Sequence, residues 1–199
     1  MNQILLGMPL IGDEEISMVS EVLRSKWILN GPMVERFEAD FKDKLGVSHA
    51  AAVTCCTTGM HLAFSLLNIG DGDEVLLSGF NFIGGGLTVL QNNAYPVFVD
   101  IDPVTFNIDP GQIEKKITSK TKAIFVLHYA GMAANMDPIL ELAEKHNLYV
   151  IEDAAHSLGS EYKGRKIGTL GDITVFSFGP MKAITTAMGG MMVCKEKDN

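Results

Sequence analysis

The 199 residues carry 16 Lys and Arg against 24 Asp and Glu, for a formal net charge of -8 at neutral pH, with 47% hydrophobic and 20% charged side chains. This balance builds one sizeable core and excludes a disordered chain, and the acidic charge argues against general affinity for nucleic-acid phosphates or anionic membrane surfaces. No stretch reaches the ~20 apolar residues of a membrane span, so the expected partner is a small molecule or a protein. Three cysteines, with Cys55 and Cys56 adjacent and Cys194 far away, make neither a disulfide framework nor a metal-ligand spacing. No metal is expected. The opening MNQILLGMPLIGDEE has no basic stretch ahead of its short apolar run, so it is not read as a secretion signal. A cytoplasmic location is the expectation.

In chain order, DEEISMVSEVLRSK predicts a helix with Asp13 as its N-cap and Ile16, Val19 and Leu23 on one face. GPMVERFEADFKDKLG predicts a second, with Val34, Phe37, Phe41 and Leu45 at helical spacing, Pro32 in the first turn and Gly46 as the C-terminal cap. Short apolar runs then alternate with helical patterns: HAAAVT, a helix from about Thr57, EVLLS, a helix from about Phe82, YPVFVDI, a helix near 110–117, KAIFVLHYA, a helix near 137–146, LYVIEDA and DITVFSF. This is an α/β pattern, and its strands are apolar enough to need helices on both faces. No internal repeat, low-complexity segment or linker is visible, so one domain spans 1–199, with N-terminal helices over 1–46 and an α/β core over 47–199.

Chemistry in open α/β sheets gathers at the carboxyl ends of the strands, which selects His128, Asp153, Ser177 and, a few residues on, Lys182. Between Ile173 and Cys194 the only side chain charged at neutral pH is Lys182. Such a lysine reaches water, loses its proton, or is consumed chemically as a Schiff base. Asp153 reads either as a helix cap or as the carboxylate that keeps a pyridoxal-phosphate ring nitrogen protonated. His156, three residues on, is either a satisfied structural histidine or a second group in the same crevice. Thr54, Thr57 and Thr58, at a strand-to-helix turn, are caps or an anion cradle. Phe82 is core or a ring-stacking face.

In this order these segments resemble the DegT/DnrJ/EryC1/StrS family of sugar aminotransferases, pyridoxal-phosphate enzymes that aminate nucleotide-linked keto sugars. KWILNGPMVERFE resembles the family's W-x-x-x-G-P-x-V-x-x-F-E segment, TTGMHLAF its T-x-A-L-H-L-A-L helix, and IEDAAHSLGSEYKGRKIGTLGDITVFSFGPMKAITTAMGG its E-D-A-A-[QH] to T-x-x-x-G-G core. The resemblance implies the large domain of a type I pyridoxal-5'-phosphate enzyme, a mostly parallel sheet between helical layers, with the family's C-terminal small domain absent from this chain. It makes Lys182 the imine-forming lysine and Asp153 the partner of the ring nitrogen. His156 matches the contact to the cofactor's 3-oxygen, Cys56, Thr57 and Ser177 match phosphate-binding positions, and Phe82 matches the stacking aromatic. An amino-acid donor, glutamate, a nucleotide-linked keto-deoxy sugar and a homodimer complete what it implies. Two other readings stand beside transamination: a sugar dehydratase of the same family, in which histidine replaces the lysine, and an inactive or regulatory homologue. Departures are Cys55-Cys56 where a small polar residue and Gly are usual, Gly179 and Met181 for His and Asn, and Met188 for Glu.

Overall fold

The computed structural model describes residues 7–195. The first six residues, part of the opening read for a secretion signal, and the last four lie outside the described residues.

The first helix, α1 (Asp13–Ser25), begins one residue earlier than the cap reading. Gly12 is the N-cap, its N–H donating to the Glu15 carboxylate at 2.7 Å, and Asp13 is already helical. The side-chain brace to Gly12 comes from Glu15, three residues on, which leaves Asp13 free to enter the helix. The Ile16, Val19 and Leu23 stripe is present but uncovered: the three are 57–62% exposed, and no residue of α1 is buried. The second, α2 (Pro32–Leu45), stops at Gly46, whose left-handed φ of 82° lets its N–H reach the Lys42 carbonyl. It buries Phe41 edge-on against Phe176 and tilted against Phe178.

Strands and helices then alternate as β1 (His49–Val53), α3 (Cys56–Leu66), β2 (Glu74–Ser78), α4 (Ile83–Gln91), β3 (Tyr95–Val99), α5 (Pro110–Ile113, continued by a 3-10 turn at Glu114–Lys116), β4 (Thr121–Leu127), α6 (Met136–His146) and β5 (Tyr149–Asp153). A two-strand hairpin, β6 (Glu161–Tyr162) and β7 (Arg165–Lys166), precedes β8 (Ile173–Ser177) and β9 (Gly190–Cys194). The seven-stranded sheet has the order β1-β9-β8-β5-β4-β2-β3; β8, β5, β4, β2 and β3 run parallel, and β9 lies antiparallel to both β8 and β1.

Two apolar clusters sit on opposite faces, as the apolar strands require. Leu76, Ile124, Val126, Val150 and Phe176 meet α2 and α6 on one side, while Val75, Leu77, Phe125, Ile151 and Val175 meet α3 and α4 on the other. Cover on both faces holds for the central strands only. The edge strand β1 is largely exposed, and on the opposite edge β3 exposes Tyr95 and Phe98.

Neither the hairpin nor β9 is read from the sequence. The hairpin turns on Lys163 and Gly164, both at positive φ. The run behind β9 is short and follows a glycine pair that reads as a loop. Gly190 in fact carries the strand through a tight place, since a Cβ there would lie 2.6 Å from the Phe176 carbonyl and 3.0 Å from the Cys56 nitrogen. Phe176 is fully buried and touches α2. Phe176→Ala is expected to cost about 3–5 kcal/mol in urea unfolding, and a loss below 1 kcal/mol would mean that α2 does not pack on β8 as described.

Candidate active site

The carboxyl ends of β2, β4, β5 and β8 open onto one cavity of about 460 Å³, whose remaining wall is the first turn of α3. The seven residues that the family resemblance assigns to the site all line it: Cys56 and Thr57 from α3, Phe82 from the turn after β2, Asp153 and His156 from β5 and the turn beyond it, Ser177 from the end of β8, and Lys182 from the following loop; Thr54 and Thr58 of the candidate anion cradle do not.

Asp153, 1% exposed, is the last residue of β5. One carboxylate oxygen, Oδ1, accepts the Ala155 N–H at 3.0 Å and lies 3.8 Å from the Cys56 Sγ. Burial pushes this carboxyl above the usual carboxylate range, and the Ala155 N–H and the charge of Lys182 offset only part of the effect. The group is therefore set to gain from a cationic partner in the cavity.

Lys182 is half-buried, and its Nζ makes no hydrogen bond or ion pair among the described residues. Its loop is well tied: Lys182 N–H donates to Gly179, Thr186 N–H and the Thr185 hydroxyl to the Phe178 carbonyl, and Ala187 N–H to Thr185 Oγ1. Loss of solvation and then the Lys182 charge push His156 below the usual histidine range, so it is a neutral donor or acceptor at pH 7.

At the α3 N-terminus, Cys55 is the extended N-cap, its Sγ accepting the Thr58 N–H at 3.5 Å while Thr54 and Thr58 hydroxyls meet at 3.2 Å. Burial opposes ionisation of the Cys55 thiol, but hydrogen bonds from Thr58 and Thr57 outweigh it and bring the thiol below its usual range. The Cys56 thiol turns away from this helix end, toward Asp153 and the Val175 carbonyl. Phe82, N-cap of α4, is 63% exposed, and its ring lies against Gly84. A Cβ at Gly84 would stand 2.8 Å from that ring and 3.2 Å from Thr57 Oγ1, so the glycine makes room for Phe82 beside Thr57.

His128, selected by the strand-end rule, is not in the cavity. Strand alternation sends Leu127 and Tyr129 into the cavity wall and His128 to the other face. There its Nε2 lies 2.9 Å from Glu152 Oε2, and both side chains are fully buried. Its Nδ1 accepts the Ala134 N–H at 3.1 Å, which places the ring proton on Nε2, facing the carboxylate. Burial alone would push Glu152 up; hydrogen bonds from His128, Gly171 and Thr174 hold it below the usual carboxylate range. This network clamps the ends of β4 and β5 to the start of β8 from behind the site.

The sequence reading missed Phe80, Asn81 and Tyr129. Asn81 follows β2 in the cavity wall, and its buried side-chain oxygen and nitrogen have no hydrogen-bond partner among the described residues. Phe80, Phe106 and Tyr129 pack with centroids 5.1–5.8 Å apart, Phe80 and Tyr129 facing the cavity. The strand-end rule applied to β2 and β4 would have found Asn81 and Tyr129. Among the described residues no group of three or more His, Cys, Asp or Glu is placed to hold a metal ion.

The sequence model of the DegT/DnrJ/EryC1/StrS aminotransferase family matches residues 9–199. The chain belongs to this family. It is 44% identical to the spore coat polysaccharide biosynthesis protein SpsC of Bacillus subtilis, covering 96% of this chain and 49% of that one. It is 43% identical to GDP-perosamine synthase of Caulobacter vibrioides, covering 98% and 53%. The putative sugar aminotransferase Spr1654 of Streptococcus pneumoniae, solved in its PLP form, superposes with a TM-score of 0.95 at 31% identity, over 98% of this chain and 53% of that chain. The chain thus spans about half the length of the curated relatives it matches, and its sheet and helical layers correspond to the large-domain portion of these family members.

The opposite biases on neighbouring carboxyls give a pH signature. Asp153, pushed up on folding, lowers stability at pH values above its unfolded pKa of about 4, whereas Glu152, held down, adds stability there that disappears only as pH falls below the usual carboxylate range. Asp153→Asn is therefore expected to raise the urea midpoint of the cofactor-free protein at pH 7–8, with the gain fading toward about pH 4. A lower midpoint at pH 7–8 would contradict the burial penalty assigned to Asp153.

Proposed function

We propose that this chain is the cofactor-binding large domain of a pyridoxal-5'-phosphate-dependent aminotransferase that moves an amino group from glutamate to a nucleotide-linked keto-deoxy sugar. The observation that carries the reading is the meeting, in one cavity, of the isolated amine of Lys182 and the buried carboxyl of Asp153 beside the α3 N-terminus. The residues fit the cofactor chemically: a buried carboxyl in need of a cation, an amine without an ion-pair partner, and N–H groups and hydroxyls at a helix start suited to a phosphate.

When bound, pyridoxal phosphate supplies an electron sink for the pair left by a breaking Cα–H bond. Lys182 Nζ would anchor the cofactor covalently. Once displaced by the donor amine, Nζ would take the proton from the donor Cα and pass it to the cofactor carbon to which it had been bonded, and would run the same transfers in reverse on the keto sugar. Asp153 would hold a proton on the ring nitrogen. His156, neutral at pH 7, would hydrogen-bond the 3-oxygen, while Thr57, Ser177 and the backbone of Cys56 would hold the phosphate. Phe82 would cover the ring and exclude water.

The names of GDP-perosamine synthase and the spore coat polysaccharide protein support a sugar substrate. The uncovered stripe of α1, with exposed Leu62, Leu66, Leu87 and Leu90 on α3 and α4, supports a homodimer. No helix among the described residues is long and apolar enough to cross a membrane. Three free cysteines fit our reading of a cytoplasmic enzyme.

The test uses the whole product of the gene, loaded with pyridoxal phosphate. Borohydride reduction is expected to fix the cofactor mass on the peptide containing Lys182, and Lys182→Ala to lose both this label and amino transfer from glutamate to nucleotide-linked keto sugars. Label on another peptide, or substantial turnover by Lys182→Ala, would sink the proposal.

A further inference from the structure

Among the described residues the Cys56 thiol is the one side chain within hydrogen-bonding distance of the Asp153 carboxylate, and the assignment of its position to phosphate binding leaves its side chain without a role. Cys56 is the first residue of α3 and is 7% exposed. Its Sγ lies 3.8 Å from Asp153 Oδ1 and 3.8 Å from the Val175 carbonyl oxygen. The backbone at this helix start lies close against β9, since a Cβ at Gly190 would stand 3.0 Å from the Cys56 nitrogen.

We infer that Cys56 is a positioning residue for Asp153, a buried S–H donor that turns toward Oδ1 when the carboxylate is ionised and toward the Val175 carbonyl when it is neutral. The inference rests on the proposed cofactor role of Asp153. One S–H proton serves one acceptor at a time, and a charged acceptor binds it about twice as strongly as a neutral one. The donor therefore follows the charge, and adds to the ionised state a hydrogen bond that it withholds from the neutral one. With Ala155 N–H also on Oδ1, the carboxylate is held by one oxygen, and Oδ2 has no protein partner among the described residues. This fixes which oxygen is available to a ring nitrogen. The thiol does not compete by ionising, since burial and then the Asp153 charge push it far above the usual thiol range.

A cysteine that merely fills space would tolerate alanine and ignore the state of Asp153. Two measurements separate the cases. In the cofactor-free protein, the infrared S–H stretch of Cys56, assigned by difference against Cys56→Ser, is expected to shift as Asp153 ionises and to lose that shift in Asp153→Asn. In the whole gene product, Cys56→Ala is expected to bind pyridoxal phosphate about three- to tenfold more weakly, and Cys56→Ser, which keeps a donor, to bind within about twofold of wild type. An S–H band indifferent to Asp153, or equal affinity of Cys56→Ala and wild type, overturns the inference. Failure of the wild-type protein to bind pyridoxal phosphate would instead overturn the proposed function, while the S–H band in the cofactor-free protein still decides whether thiol and carboxyl interact.

Discussion

A carboxyl group buried at the end of a parallel strand is the constraint around which this molecule is arranged. Asp153 is 1% exposed, and an ionised carboxylate there without a cation would cost several kcal/mol. The fold meets that cost in part with the Ala155 N–H, and it opens a cavity beside the group with Lys182 on its wall. A cofactor whose ring nitrogen carries a proton would complete the arrangement. The burial penalty on Asp153 and the affinity for such a cofactor are then two sides of the same burial.

Strand alternation divides the two neighbouring acids into different tasks. Asp153 faces the cavity; Glu152, one residue earlier, faces the opposite layer, where His128, Gly171 and Thr174 satisfy it completely. Glu152 reaches from the end of β4 to the start of β8, so it fixes the spacing of the strands whose ends carry Asp153, Ser177 and the Lys182 loop. A satisfied buried network behind the site thus lets an unsatisfied carboxyl stand in front of it. The Phe41, Phe176 and Phe178 contacts anchor the same strand from α2.

Much of this was legible in the sequence because short apolar runs and the strand-end rule are local signals. They placed the central strands and brought Asp153, His156, Ser177 and Lys182 to one end of the sheet. They failed where the direction of a side chain, rather than its place on the strand, decides the outcome. His128 obeys the same rule as Asp153 but is one residue out of phase with Leu127 and Tyr129, and so points behind the site. The Cys56 thiol meets Asp153 and the Val175 carbonyl, contacts between residues far apart in the chain that no local pattern specifies. The apolar stripe of α1 forms at the spacing read for it, yet Ile16, Val19 and Leu23 stay 57–62% exposed, because helical spacing specifies a stripe and not what covers it.

The account turns on whether Asp153 holds a proton on the cofactor ring. Nitrogen-15 NMR of the whole protein loaded with ring-labelled pyridoxal phosphate reads that proton directly. The account predicts a protonated ring nitrogen across neutral pH in the wild-type protein and an unprotonated one in Asp153→Asn. An unprotonated ring nitrogen in the wild type, or a protonated one that survives loss of the carboxylate, would contradict it.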